Sequence, residues 1–144
     1  MTQVSGVQVR RLRVGDEHHV VMALTALGQP AEELVARTFL ADPMVVAVGA
    51  LWGTEIVGFA YGHVVARPDV APMARVEALD VLAQYRRQGI GRRIVEAFVD
   101  ICGPVSQVRA AAAADDAPAQ ALFAAAGGTP HGLERVHRWH PTAR

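Results

Sequence analysis

One hexapeptide constrains this chain more than any other feature: Arg86-Arg87-Gln88-Gly89-Ile90-Gly91, set between a β-rich run and a helical pattern. The run before it, Arg75 to Val81, reads as a strand. After it, Ile90, Ile94, Ala97, Phe98 and Ile101 recur at helical spacing, so a helix runs from about Gly91 to Cys102. Glycines at 89 and 91 let backbone N–H groups approach a ligand closely, and the helix N-terminus adds positive potential. Arg86, Arg87, Arg92 and Arg93 crowd the same end, where the helix dipole alone favours acids. A bound polyphosphate resolves that conflict.

Two common phosphate cradles are excluded. A dinucleotide fingerprint needs a third small residue where Ile94 stands. A P-loop needs a lysine, and all 14 basic residues of this chain are arginine. The missing lysine also removes a Schiff base from consideration.

The remaining composition sets bounds. At 144 residues, 51% of them hydrophobic, residues 1–144 read as one domain with a sizeable core. Fourteen acids balance the 14 arginines, so no global charge draws the chain to nucleic acid or an anionic membrane. Lone Cys102 excludes an internal disulfide. Without a signal-like or membrane-spanning apolar run, the chain reads as soluble and cytoplasmic.

Local patterns predict the order β-αα-βββ-α-β-α-β, a mixed α/β sheet with about four helices. Val7 to Arg13 is the first strand. Asp16 caps a first helix ending at Gly28, and Pro30 opens a second, stopped by Asp42-Pro43. Met44 to Leu51 and Ile56 to Val65 form a hairpin across Gly53-Thr54. Beyond the helix ending at Cys102, Val105 to Ala112 is a strand weakened by the alanines Ala110 to Ala114. Asp115 or Asp116 caps a short helix, Pro118 to Ala126, and Leu133 to Trp139 is a last strand.

The hexapeptide resembles the coenzyme A loop of the GNAT acetyltransferase superfamily, Gln/Arg-x-x-Gly-x-Gly/Ala. Val76-Glu77-Ala78-Leu79-Asp80-Val81 is similar to that superfamily's central strand, and Tyr85 sits where an aromatic often precedes the loop. Downstream, Asp116 to Phe123 followed by Gly127-Gly128 resembles its Asn-x-x-Ala-x-x-Leu-Tyr helix and closing Gly-Phe. The likeness covers nearly the whole chain, most securely Arg75 to Gly128. It implies a splayed central sheet and direct acetyl transfer from acetyl-CoA to a primary amine of a small molecule or peptide.

The resemblance also implies a site. Cofactor contacts fall on Arg86, Arg87, Gln88, Gly89, Ile90, Gly91 and Arg92, on backbone groups of Leu79 and Val81, and on Asp116 and Phe123. Glu77 occupies a strand position where several members carry the proton-accepting glutamate, and His63 ranks second because histidine titrates in the right range. Against a base role, Glu77 reads as a rim carboxylate paired with Arg75 or Arg109. Phe123 departs from the pattern: many members have a tyrosine there, and phenylalanine has no hydroxyl to protonate a leaving thiolate. Tyr61, Tyr85 or water are the substitutes.

Other residues read as structural. Cys102 is a small buried hydrophobe, His18-His19 lie on a helix surface, and Trp52 and Trp139 pack, Trp139 also suiting an oligomer interface. His137 and His140 are too few for a metal site, and no metal is expected. A narrower likeness joins Arg86 to Ile90, Asp115-Asp116 and Ala121-Leu122-Phe123 to the short gentamicin-type aminoglycoside 3-N-acetyltransferases. Asp115, Asp116, Glu77 and Asp80 would supply the acidic pocket that a polycationic sugar needs, although that group has Asp where this chain has Ala78. The third reading is a non-catalytic acyl-CoA-binding module. Homodimers are common in the superfamily, and the short C-terminus invites completion by a partner.

Overall fold

The computed structural model describes residues 6–141. Its second strand, β2 (Val45–Trp52), is an almost unbroken apolar run, and every residue from Val45 to Leu51 is buried. Such a strand must be covered on both faces. It is: Val46 and Val48 belong to one core cluster, Val45 and Ala47 to another.

Five strands lie in chain order, β1 (Val7–Leu12), β2, β3 (Glu55–Val65), β4 (Met73–Val81) and β5 (Val108–Ala110). The first four pair antiparallel and β5 joins β4 parallel. The turn from β2 to β3 falls at Gly53, whose φ of +63° suits glycine. Helices α1 (Glu17–Ala26) and α2 (Glu33–Ala41) cover one face through Val20, Ala23 and Ala36. Helix α3 (Ile90–Cys102) covers the other through Ile90, Ile94 and Phe98, and α4 (Ala117–Ala125) leans on α3. This open mixed sheet with four helices among the described residues is the fold class the sequence predicts.

Helix α3 sits close to β3 because two glycines make room. A Cβ on Gly58 would lie 2.8 Å from Ile94 Cδ1, and one on Gly62 would lie 2.7 Å from Phe98 Cζ. Ile94 and Phe98 are a helical i, i+4 pair, and both are fully buried over those glycines.

Five local expectations are corrected. Helix α2 begins at Glu33, three residues after Pro30. Asp16 stands at the N-cap of α1, but its carboxylate does not cap it: it accepts from Arg10 at 2.9 and 3.1 Å and from the Arg13 N–H at 2.8 Å. Strand β5 keeps only three residues, since the alanine run gives little side-chain packing to hold a ladder. The last strand, Leu133 to Trp139, does not form. Its large apolar residues Leu133, Val136 and Trp139 stand three apart, so a period-two strand would split them between faces, and all three are exposed. Trp139, expected to pack, is 78% exposed, whereas Trp52 meets Tyr85 edge-to-face at 5.9 Å.

Candidate active site

The chain leaves β4 through a single 3-10 turn, Ala83–Tyr85, and enters the arginine-glycine loop. Two residues of the loop are left-handed, Arg87 at φ +63° and Gly89 at +81°. For arginine that conformation costs about 1–2 kcal/mol. Gly89 is the N-cap of α3, and no side chain caps the helix, so its first N–H groups stay open to an incoming acceptor.

The four arginines divide. Arg86 donates from Nε to the Val81 carbonyl at 2.8 Å and from Nη2 to Asp80 at 3.1 Å. Arg92 pairs with Glu96 at 3.2 Å, and Arg93 reaches the Val7 carbonyl at 2.8 Å. Arg87, exposed, has no hydrogen bond or ion pair among the described residues. Beside it, Gln88 Oε1 is buried without a hydrogen-bond partner among the described residues. Gly91 has a packing reason as well: a Cβ there would lie 3.1 Å from Leu122 Cδ2 of α4. Ile90 is buried in the core.

Only Ala74, Arg75 and Val76 of β4 pair with β5, so the rest of that edge is open. The Val81 N–H donates to the Asp80 carboxylate at 2.8 Å and its carbonyl accepts from Arg86, so both point to the open side. Leu79, two residues earlier, shares that direction. The side chains of Leu79 and Val81 pack on the α3 core.

Glu77 is the residue that the register skips. Tyr61 pairs with Ala78 and Gly62 with Val76, which makes Glu77 the extra residue of a β-bulge. Val76 and Leu79 both pack on the α3 core although three residues apart, so Glu77 and Ala78 lie between them on a stretch turned from that core. Glu77 is exposed and makes no ion pair among the described residues. Arg109, one partner considered for it, binds Glu134 at 3.2 Å.

Across the sheet from α3, a cleft of about 540 Å³ opens between α1, α2 and β3. His63 and Tyr61 line it from β3, Phe39 and Val35 from α2, and Glu32 at the start of α2 supplies the one carboxylate among the described residues. Glu77 does not line it. His63 stands opposite Arg75 in the register and edge-on to Tyr61 at 6.5 Å.

The start of α4 completes the neighbourhood. Asp116 caps the helix by accepting from the Ala119 N–H at 3.1 Å, and Phe123 follows Leu122, the residue seated on Gly91. Asp115 is exposed. The Cys102 thiol is pushed up from its ordinary value by burial, which suits an inert packing residue. Among the described residues, no three His, Cys, Asp or Glu side chains are grouped to hold a metal ion, and no helix is long and apolar enough to cross a membrane.

The resemblance implies a substrate pocket bounded by the first two helices, but sequence reasoning finds no aromatic or acidic pocket positions in Ala31 to Ala41; Glu32 and Phe39 line the cleft there, because nothing local marks which side chains face a gap between two helices. Sequence reasoning also missed the bulge, for which Gly62 inside a β-rich run was the available signal.

Comparison with known proteins agrees with this geometry. No curated protein sequence matches. Among solved structures, the aminoglycoside acetyltransferase meta-AAC0020 from an uncultured soil metagenomic sample, in complex with sisomicin, is 18% identical with a TM-score of 0.83, covering 98% of this chain and 99% of that one. The ribosomal-protein-alanine N-acetyltransferase of Brucella melitensis biovar Abortus 2308 is 18% identical with a TM-score of 0.75, over 93% of this chain and 99% of that one. The aminoglycoside N-acetyltransferase AAC(6')-Iy in complex with CoA is 15% identical with a TM-score of 0.72, over 94% of this chain and 100% of that one. At such identities these structures share the fold. The sequence profile described as the Acetyltransferase (GNAT) family matches residues 17–127, most of the chain. The protein belongs to the GNAT acetyltransferase family.

Proposed function

We propose that this protein transfers the acetyl group of acetyl-CoA directly to the primary amine of a small molecule or peptide. One observation carries the reading: the open edge of β4 runs from the Glu77 bulge into the uncapped, glycine-started helix α3. A ligand with an amide-bearing arm and a pyrophosphate fits that path, the arm along Leu79 and Val81 and the phosphates on the loop. The unpartnered Arg87 and the open N–H groups of Gly91 and Arg92 suit the phosphates. Pairing with Val81 would displace the Arg86 and Asp80 contacts and release the Arg86 guanidinium to join them.

In the reaction the amine nitrogen attacks the thioester carbonyl, a C–N bond forms, and the C–S bond breaks with its electron pair going to sulfur. The arriving ammonium must first lose a proton, and Glu77 at the bulge is the assigned acceptor. His63, which lines the cleft, is the alternative base. An open main-chain N–H beside Leu79 would stabilise the charge developing on the carbonyl oxygen. Phe123 offers no proton to the departing thiolate, so the nitrogen's second proton reaches the sulfur through water; at this position Phe123 serves as an apolar neighbour of the arm. The whole chain acts as one domain in the cytoplasm, without a metal, nucleic acid or membrane partner.

Thiol release from acetyl-CoA, followed with a panel of primary amines, tests the proposal. Amine-dependent release supports it. Saturable coenzyme A binding with no turnover on any amine would instead support a non-catalytic acyl-CoA-binding module.

A further inference from the structure

The cleft between α1, α2 and β3 has a chemistry that narrows the acceptor. Its floor and one wall are aromatic: Phe39 meets Tyr61 edge-on at 5.1 Å, and Phe59 lies 5.8 Å from Tyr61. Val35, one helical turn before Phe39 on the same α2 wall, is 63% exposed, an apolar surface left for something apolar to cover. About 540 Å³ is the size of a site for a small organic molecule.

Charge is scarce there. Among the described residues, Glu32 is the only carboxylate on the lining. The acids that an aminoglycoside site would recruit are elsewhere: Asp80 is bound to Arg86, Asp116 caps α4, and neither these nor Glu77 and Asp115 line the cleft. A sugar carrying several ammonium groups would lose hydration at each of them against Phe and Val side chains, with one carboxylate to compensate. An amine with a single ammonium on an apolar body loses hydration once and gains the burial of its body.

We propose that the cleft takes a primary amine borne on an aromatic or branched aliphatic skeleton, rather than a polycationic sugar. This rests on the amine-acetylating reading above and specifies its acceptor. The aromatic trio and Val35, beside Phe39 on α2, hold the body.

The test compares 2-phenylethylamine, isopentylamine and gentamicin as acceptors with the intact protein. It also measures binding of each amine by calorimetry in the presence of coenzyme A. The apolar amines should exceed gentamicin in kcat/KM by at least about tenfold. Val35→Asn, at an exposed position that folding tolerates, should raise the KM or Kd for 2-phenylethylamine by about tenfold while the KM for acetyl-CoA stays within about twofold. Equal or better use of gentamicin overturns the proposal, and so does an unchanged 2-phenylethylamine constant in Val35→Asn. If no amine is acetylated but 2-phenylethylamine binds and Val35→Asn weakens it, the ligand class stands and acetyl transfer falls. Failure of every amine to bind to protein that still binds coenzyme A overturns the ligand class.

Discussion

A Cβ on Gly62 would stand 1.9 Å from the carbonyl oxygen of Arg75, so the bulge at Glu77 exists only because residue 62 has no side chain. The Arg75 backbone cannot retreat easily, since it is held between β3 and β5. Gly62→Ala should therefore lower stability by about 3 kcal/mol, the upper range for overpacking a tight site. Urea unfolding measures it. A midpoint equal to wild type would mean that the strands pair in another register.

The loop offers a substitution in which stability and binding move in opposite directions. Arg87 carries a positive φ and a guanidinium with no hydrogen bond or ion pair among the described residues. Arg87→Gly removes both, so it should raise the unfolding midpoint by an amount equivalent to about 1 kcal/mol. The same change should weaken coenzyme A binding by roughly tenfold, and Arg87→Glu by more, because a carboxylate then faces the pyrophosphate. Calorimetric titration with acetyl-CoA reads the affinity. Unchanged affinity in Arg87→Glu would remove the loop from the cofactor site.

The proton acceptor is decided by a pair of variants. Glu77→Gln should reduce kcat at neutral pH by about 100-fold, the lower range for loss of a general base, with the KM for acetyl-CoA near wild type. His63→Gln should change kcat much less. Steady-state rates with one amine substrate distinguish them, and the reverse order would assign the base to His63.

Acid sensitivity has a local source at the start of α1. Bidentate hydrogen bonds from Arg10, then the Arg13 N–H, hold the Asp16 carboxyl below its ordinary range against the opposing effect of burial. A depressed carboxyl contributes stability that is full above its unfolded value, about 3.9, and is lost as pH falls through the folded one. Asp16→Asn should cost about 1 kcal/mol at pH 7, kept modest because Arg10 is partly exposed. Urea midpoints at pH 7 and in strong acid check the sign: the gap between wild type and variant should close in acid.

Much of this protein was legible in the linear chain. The spacing of Ile90, Ile94 and Phe98, the Gly53 turn and the Asp116 cap are local rules, satisfied by neighbours a few residues away, and each appears where its pattern predicts. The family followed from the same local features, because a strand, a glycine loop and a helix are contiguous in sequence.

What depended on distant partners was not legible. Asp16 turned from its helix to Arg10, because an arginine fork binds a carboxylate better than a backbone N–H does. Leu133 to Trp139 had the β-forming residues of a strand but no face on which to bury them. The bulge at Glu77 arises from register against β3, which no residue of β4 encodes alone. The apolar cleft is the space left where α1, α2 and β3 meet. The sequence by itself determined the arginine-glycine loop at the start of α3, whose parts are neighbours in the chain; the setting of Glu77 and the lining of the apolar cleft were decided only when segments far apart in sequence packed together.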